Sequence, residues 1–176
     1  GSADPKEEVT EIDETQIVAA LESDLIDAPN VDSSATKVEE IAEKQNQMEE
    51  ERDLVEALKD RVTVFEFGGP LSFGAAADVG HHVRERYRDG MHAIILDFCR
   101  VPFIDVSAVR AVETIACDAE RAGKKIFITG MNDEIAKTMK GLGADCCLGL
   151  DAARHTDRMA LLRILRDEYT NKLEKR

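Results

Sequence analysis

Asp105 and Ser107 stand where an apolar run passes into a helix-forming segment, and this pair is the part of the chain best suited to chemistry. The run at residues 93–98 predicts a buried strand of a parallel sheet. Backbone N–H groups at a helix start are unpaired and the helix dipole is positive there, which suits an anion or a phosphate ester. We therefore predict an anion-binding or phosphorylation site at Asp105 and Ser107. The alternative is an ordinary helix cap, which contributes about 1 kcal/mol and has no further role.

Asp97, Asp105 and Ser107 could be combined as an acid, a base and a nucleophile, but no histidine lies close to them in the sequence. His92 begins the predicted strand that Asp97 nearly ends. The sequence also has no Gly-x-x-x-x-Gly-Lys-Ser/Thr loop to hold a nucleotide phosphate. We therefore predict a chain without enzymatic activity and without a cofactor.

The cysteines and histidines do not have the spacing of a metal site. The four cysteines, which form no Cys-x-x-Cys pair, are Cys99, Cys117, Cys146 and Cys147. His81 and His82 are adjacent, so on a helix they would point about 100° apart and could not easily share one ion. We predict no metal ligand, and buried thiols in a reducing cytoplasm.

Hydrophobic periodicity predicts the elements that must position Asp105 and Ser107. The predicted strands lie at 61–67, 71–73, 92–98 and 125–129, with a further edge strand at 145–148. The predicted helices lie at 74–88, 108–122, 132–139 and 151–173. Small residues form nearly one whole side of the helix at 108–122, so it can approach the sheet closely. This order predicts an α/β fold, an α+β mixed sheet of four to five strands with helices packed mainly on one face.

Charge and aromatic residues divide the chain near residue 60. Residues 1–60 carry 19 of the 36 acidic and 5 of the 23 basic side chains, whereas all eight aromatic residues come later. We therefore predict a folded domain at 61–176 behind a solvated acidic extension. The net charge of -13 excludes a nucleic-acid binder that works through bulk positive charge. The sequence has no apolar run of about 20 residues to cross a membrane.

The extension has two parts. We predict a flexible acidic linker at 1–33, which begins with the expression scar Gly1-Ser2. We predict an amphipathic linker helix at 34–60, which leans on the domain or on a partner. Its apolar heptad positions are Val38, Ile41, Met48 and Val55. Gln45 and Arg52 interrupt the same seam, so the pattern indicates a weak coiled coil at best.

Three stretches resemble the STAS domain, the module of soluble bacterial anti-sigma factor antagonists and of the cytoplasmic tails of SulP-type anion transporters. They are residues 64–76, residues 94–98 with 101–107, and residues 122–128. Gly-Pro-Leu-x-Phe-Gly-Ala-Ala after the first strand resembles the transporter branch. A start at Gly1-Ser2 without methionine suits a cytosolic tail cut from a membrane protein. The resemblance covers residues 61 to about 172.

The transporter resemblance implies a non-enzymatic regulatory and protein-interaction domain of a SulP-type sulfate, bicarbonate or related anion transporter. It implies a place at the cytoplasmic face of the inner membrane, as part of a membrane protein from which a soluble fragment was taken. The implied partners are the protein's own transmembrane transporter domain, a second copy in a homodimer and a cytosolic protein, with no nucleic acid. The arginines that we predict at the contact surface are Arg84, Arg86, Arg88 and Arg110, and the alternative for them is ordinary solvated helix surface.

A second hypothesis follows from the antagonist branch. In those proteins the loop before the small-residue helix reads Asp-Ser-Ser-Gly, and a partner kinase phosphorylates the second serine. Ser107 aligns with that serine, whereas Val106 and Ala108 replace the first serine and the glycine. The chain would then be a soluble anti-sigma factor antagonist in which phosphorylation of Ser107 adds about -1.5 to -2 charges to a docking surface. A third hypothesis is a nucleotide-binding sensor domain, which some STAS domains are suggested to be.

Overall fold

The computed structural model describes residues 8–13, 17, 35–88, 90–141 and 157–175. These ranges contain four strands and five helices. The strands are β1 (Glu8–Ile12), β2 (Val62–Gly68), β3 (Ala93–Arg100) and β4 (Lys125–Thr129). The helices are α1 (Ala35–Leu58), α2 (Phe73–Arg88), α3 (Val106–Arg121), α4 (Asp133–Gly141) and α5 (Arg158–Glu174). None of these helices is long and apolar enough to cross a membrane.

The four strands form one mixed sheet in the order β1-β2-β3-β4. β1 runs antiparallel to β2, whereas β2, β3 and β4 run parallel to one another. β3 lies inside the sheet, and its residues 93–98 are buried, as the unbroken apolar run predicts. The predicted mixed α/β sheet is therefore confirmed, and the elements from β2 to α4 begin and end within two residues of their predicted bounds.

Helices cover both faces of the sheet, whereas the sequence predicted them mainly on one face. Successive strand side chains alternate between the faces, and in β3 both sets are buried at residues 93–98, so each face needs a cover. α2, α3 and α4 pack over one face, which presents Phe65, Leu96 and Ile128. α1 and α5 pack over the other face, which presents Val64 and Ile95. The two faces thus carry two separate clusters of buried apolar side chains.

The small residues of α3 allow the close approach that the sequence predicts. Ala108, Ala116 and Ala119 are at most 1% exposed. The opposing helix α2 contributes Gly80, where an added Cβ would lie 3.5 Å from Cγ1 of Ile115. Both helices therefore pack against each other through small residues.

The predicted linker at 1–33 needs a correction, because residues 8–12 form the edge strand β1. Val9 packs against the cluster under α2 and α3, and Ile12 packs against the cluster under α1 and α5. Glu11 forms an ion pair with Arg86 of α2, 2.6 Å apart. Acidic residues between the apolar ones made the segment look like a solvated linker, whereas pairing with β2 and one ion pair place it in the sheet.

α1 covers most of the predicted linker helix and leans on the domain at its C-terminal end. Leu54 and Leu58 are 1% and 3% exposed and belong to the cluster under α5. Val38 and Ile41 in the N-terminal half are 57% and 40% exposed. The helix therefore packs on the domain through Leu54 and Leu58, which are not among the predicted heptad positions, and the heptad positions Val38 and Ile41 are exposed.

Two other predicted elements differ from the structure. The predicted strand at 71–73 is wrong, since Leu71 forms only a single parallel bridge with Ile104 and α2 already begins at Phe73. Ser72 stops the strand because its hydroxyl accepts a hydrogen bond from the N–H of Ala75, 3.3 Å away, at the start of the helix. The predicted edge strand at 145–148 and the first residues of the predicted helix at 151–173 lie outside the described residues.

Candidate functional site

The start of α3 holds both residues that the sequence singled out. Asp105 is the N-cap, with extended backbone, and its carboxylate accepts a hydrogen bond of 2.7 Å from the N–H of Ala108. Ser107 is the second residue of the helix and is exposed. The Asp105 carboxylate already occupies the positive end of the helix dipole, so an external anion would have to approach a like charge. Ser107 is therefore the residue at this start that is left for chemistry.

The loop at 101–105 is fixed by backbone and amide contacts. The N–H of Leu71 donates to the carbonyl of Phe103 at 3.2 Å, and the side-chain amide of Asn132 donates to the carbonyl of Pro102 at 3.0 Å. Asn132 also accepts a hydrogen bond from the N–H of Ile135, 2.8 Å away, inside α4. The loop before α3 is thus tied to the segment before α2 and to the beginning of α4.

Three large apolar side chains remain exposed around the start of α3. Phe73, Phe103 and Val106 are 56%, 57% and 56% exposed. The bridge between Leu71 and Ile104 brings together the two segments that carry them. Grouped apolar exposure of this kind favours an interaction surface. We name Phe73, Phe103, Val106 and Ser107 the apical surface.

Sequence analysis missed the apolar part of the apical surface, although a signal was present. Phe103 stands between the predicted strand at 92–98 and the predicted helix at 108–122, where no strand or helix face requires a large apolar side chain, whereas Phe73 lies within the predicted strand at 71–73. An aromatic residue at such a position is a sequence indication of a contact outside the core.

The predicted arginine surface is divided among separate ion pairs. These pairs are Arg84 with Asp118 at 3.2 Å, Arg86 with Glu11 at 2.6 Å and Arg110 with Glu113 at 2.8 Å. Arg88 is the last residue of α2, and its side chain lies outside the described residues. The structure therefore does not bring the described arginines into one free patch, and their use by a partner stays a prediction.

A charge cluster on the opposite face of the sheet was also missed. Arg158, at the start of α5, contacts the carboxylates of Glu51 in α1 at 2.6 Å, of Glu66 in β2, and of Asp97 in β3 at 3.0 Å. Burial alone would lower the pKa of Arg158, but the three carboxylates raise it above its usual range. The sequence signal was an acidic residue inside each of two apolar strands.

Asp97 accepts hydrogen bonds from several residues of and around this charge cluster. It is 2% exposed and accepts hydrogen bonds from the N–H of Cys99 at 3.2 Å and the hydroxyl of Thr129 at 3.1 Å, besides Arg158. Thr129 and Glu66 are also its register partners on the neighbouring strands. Asp97 therefore joins three strands and α5 and is not free to act as a base.

Glu66, Asp97 and Cys99 each place one ligand atom within 4.8 Å of the others, a grouping that could hold a metal ion. Burial, followed by the charge of Asp97, raises the pKa of the Cys99 thiol to about 11. The thiol is consequently protonated at neutral pH, which makes it a poor metal ligand and a poor nucleophile. The Arg158 guanidinium contacts both carboxylates, so the cluster already contains its own cation.

The acid, base and nucleophile considered from the sequence are not assembled. Asp97 is held by Arg158, and Asp105 is held by the N–H of Ala108. His92 precedes the far end of β3, about 16 Å along the strand from Asp97. The arrangement at the start of α3 can therefore present a surface and a hydroxyl, but it does not activate that hydroxyl.

Comparison with protein families decides what kind of domain this is. The STAS domain model matches residues 55–156, from the last turn of α1 through α4 and beyond. The chain belongs to the STAS domain family. Its STAS domain begins slightly before the predicted resemblance, which covered residues from 61 onward. No curated protein sequence matches the chain significantly.

Solved structures give the same fold. A sulfate transporter family protein from Wolinella succinogenes is 26% identical, with 60% of this chain and 88% of that chain covered and a TM-score of 0.52. The STAS domain of a SulP transporter from Vibrio cholerae is 20% identical, with 63% and 84% covered and a TM-score of 0.51. The murine Solute Carrier 26 family member A9 anion transporter is 21% identical, with 57% of this chain and 17% of that chain covered and a TM-score of 0.50. The predicted resemblance to the STAS domains of SulP transporters is confirmed.

Proposed function

We propose that this STAS domain is the regulatory, non-enzymatic interaction domain of a SulP-type anion transporter, held at the cytoplasmic face of the inner membrane. The observation that carries the proposal is the likeness to the sulfate transporter family protein from Wolinella succinogenes, at 26% identity over 88% of that chain. The first partner would be the transmembrane transporter domain of the same protein. A second copy of the chain and a cytosolic protein are further partners.

The apical surface supports this role because it combines apolar exposure with a rigid backing. Phe73, Phe103 and Val106 offer apolar area, and the hydrogen bonds of Leu71 and Asn132 hold the loop that carries Phe103. A surface that is already ordered loses little conformational entropy on binding. Contact with one transporter conformation in preference to another would shift the balance between those conformations, which is how such a domain regulates.

α1 supports a mechanical connection between the domain and the preceding chain. Arg163 of α5 forms a bidentate pair with Glu50 of α1, at 2.6 and 2.8 Å. Glu51, the next residue, contacts Arg158. These two arginines, together with buried Leu54 and Leu58, hold α1 against the domain. Movement of the chain before α1 would therefore be transmitted to the domain.

The test uses the full-length protein that contains this domain, reconstituted in vesicles. We expect Phe103→Asp to lower sulfate or bicarbonate uptake at least about fivefold at equal membrane abundance, because a charge at the centre of an apolar contact is costly to desolvate. Ile164→Asp is the matched control, since Ile164 is 49% exposed on α5, outside the apical surface. Equal uptake by both variants and the parent protein, or a full-length protein that has no membrane-spanning segment, would contradict the proposal.

The position of Ser107 favours a second candidate function, a phosphorylation-switched antagonist. Ser107 is exposed at the second residue of α3, beside the cap Asp105. A phosphate there would add negative charge beside Asp105 and next to the exposed apolar side chain of Val106, and so would change what the apical surface can bind. Mass spectrometry of the protein isolated from its native cells tests this function directly. Phosphate on Ser107 supports the switch, and a Ser107 peptide found only in unmodified form under conditions of partner release contradicts it.

A further inference from the structure

Basic residues meet at the end of the sheet opposite the apical surface. Arg61 and His92 directly precede β2 and β3, and Lys125 is the first residue of β4. Their backbones are adjacent, because the N–H of His92 donates to the carbonyl of Arg61 at 2.8 Å and the N–H of Lys125 donates to the carbonyl of His92 at 3.1 Å. Three parallel strands thus begin with basic residues in neighbouring positions.

α5 adds an aromatic ring and another cation to this end. The Tyr169 ring lies 6.0 Å from the His92 ring, measured between centroids. The Arg61 guanidinium lies 5.3 Å, and the Lys172 ammonium 5.8 Å, from the Tyr169 centroid, both within cation–π range. One buried tyrosine therefore positions cations from two separate elements.

A cavity of about 270 Å³ opens between these groups. Its lining residues, which we name the basal site, are Arg61, His92, Lys172 and Leu173. Burial lowers the pKa of His92, and the nearby charges of Lys124, Arg61 and Lys172 lower it further. These cations lie together although the whole chain has a net charge of -13.

The acidic groups around the basal site neutralise only part of its positive charge. Glu168 pairs with Lys125 at 3.2 Å and with Lys172 at 3.3 Å, and these contacts lower its pKa despite some burial. Asp60 precedes Arg61 in the chain and is exposed. Across the described ranges, no carboxylate lies within ion-pair distance of Arg61 or Lys124. The site therefore retains an excess of positive charge.

We propose that the basal site binds a phosphate group, carried either by an anionic lipid or by a free phosphate compound. A guanidinium and an ammonium that flank one small cavity can donate several charge-assisted hydrogen bonds to phosphate oxygens. Leu173 is 60% exposed at the rim, next to these cations. An apolar side chain beside basic ones gives a lipid surface an apolar contact that free phosphate does not need. This inference is independent of the transporter role.

In the experiment, inorganic phosphate is titrated into the folded chain. Binding is detected by the nuclear magnetic resonance signals of the His92 ring. In a parallel arm, the chain is sedimented with phosphatidylcholine vesicles that contain or lack phosphatidylglycerol. The test variant is Arg61→Gln with Lys172→Gln, and we expect it to bind at least about tenfold more weakly. The matched control is Lys137→Gln with Lys140→Gln, which removes two exposed charges from α4.

The outcomes separate the two sources of phosphate. Binding of inorganic phosphate that the test variant loses and the control retains supports a free phosphate compound. Sedimentation that requires phosphatidylglycerol, with the same pattern among variants, supports a lipid headgroup. No binding in either arm, or equal weakening in test and control variants, overturns the proposal. If the double variant is unfolded by circular dichroism, Lys172→Gln alone repeats the test, because Lys172 is exposed and its loss leaves the core unchanged.

Discussion

The guanidinium of Arg158 lies 3.0 Å from the buried carboxylate of Asp97, and this contact joins the start of α5 to the interior strand of the sheet. Asp97 is 2% exposed, whereas the Arg158 side chain is 21% exposed. Removing the arginine would leave Asp97 as a buried carboxylate without a cation, whereas Glu66 would keep its ion pair of 3.2 Å with Arg100. A buried charge that loses its partner destabilises more than the intact pair stabilises.

We predict that Arg158→Ala lowers the free energy of unfolding by about 3 kcal/mol, because it leaves a buried carboxylate without its cation. Urea denaturation followed by circular dichroism measures the change. Arg166→Ala is the control, since Arg166 is 45% exposed and pairs with its exposed neighbour Asp167. We expect the control to change stability by less than about 0.5 kcal/mol. Similar losses in the two variants would show that the charge cluster contributes little.

We predict that the Cys99 thiol reacts slowly with iodoacetamide at pH 8. Its pKa is raised to about 11 from 9.0, so the thiolate fraction at that pH is about a hundredfold smaller than for an ordinary thiol. Mass spectrometry of the Cys99 peptide against pH gives the rate. Asp97→Asn should speed the reaction, because it removes the charge that opposes ionisation. A rate at pH 8 equal to that of a free cysteine would contradict the prediction.

The same raised pKa predicts a loss of stability in alkali. The folded state holds the Cys99 proton more tightly than the unfolded state, so this contribution is complete below about pH 9 and disappears as the pH rises through about 11. Comparison of the parent chain with Cys99→Ser over that range isolates the contribution. A variant that loses stability as steeply as the parent would exclude Cys99 as its source.

We predict that Gly130→Ala costs about 2 kcal/mol or more. Gly130 has φ 71°, and an added Cβ would lie 2.7 Å from the backbone nitrogen of Cys99, which cannot move without disturbing β3. Gly90→Ala is the control that has the backbone strain without the steric clash. Gly90 has φ 89° but no atom within 4 Å of its added Cβ among the described residues. We expect about 1 kcal/mol for Gly90→Ala in thermal or urea unfolding. Equal losses of stability in Gly130→Ala and Gly90→Ala would mean that the close contact of the added Cβ with Cys99 does not destabilise the protein.

We predict that deletion of residues 1–13 lowers the melting temperature and promotes association. The deletion removes β1, which uncovers the edge of β2 and the apolar surface under Val9 and Ile12. Differential scanning calorimetry and light scattering provide the two readouts. The control is Lys37→Gln in the exposed half of α1, which changes charge without touching the sheet. An unchanged melting temperature after the deletion would restore the interpretation of this segment as a linker.

Much of the fold could be predicted because its signals are local. The apolar run of β3, the small-residue stripe of α3 and the cap at Asp105 each appear within a few neighbouring residues. β1 could not be predicted, because five residues with acidic interruptions gain their structure only from pairing with β2. Tertiary pairing of this kind has no counterpart in the composition of the segment.

In the candidate site, too, the local features could be predicted from the sequence and the long-range contacts could not. The nearness of Asp105 and Ser107 follows from their places in the chain, so the sequence was sufficient. The contacts of Arg158 with Glu51 and Asp97 join residues that are far apart in the chain, and no local pattern specifies them. The exposed aromatic side chains of Phe73 and Phe103 were visible in the sequence, but only their accessible area distinguishes them from core residues.

The parallel alignment of β2, β3 and β4 gives the domain two poles, and each of these three strands begins at one pole and ends at the other. A strand as long as β3 separates the poles by about 26 Å. Molecules bound at opposite poles would not contact each other, and each would contact an end of the same three strands. If partners bind both the apical surface and the basal site, as proposed, the length of the strands sets the separation between those partners.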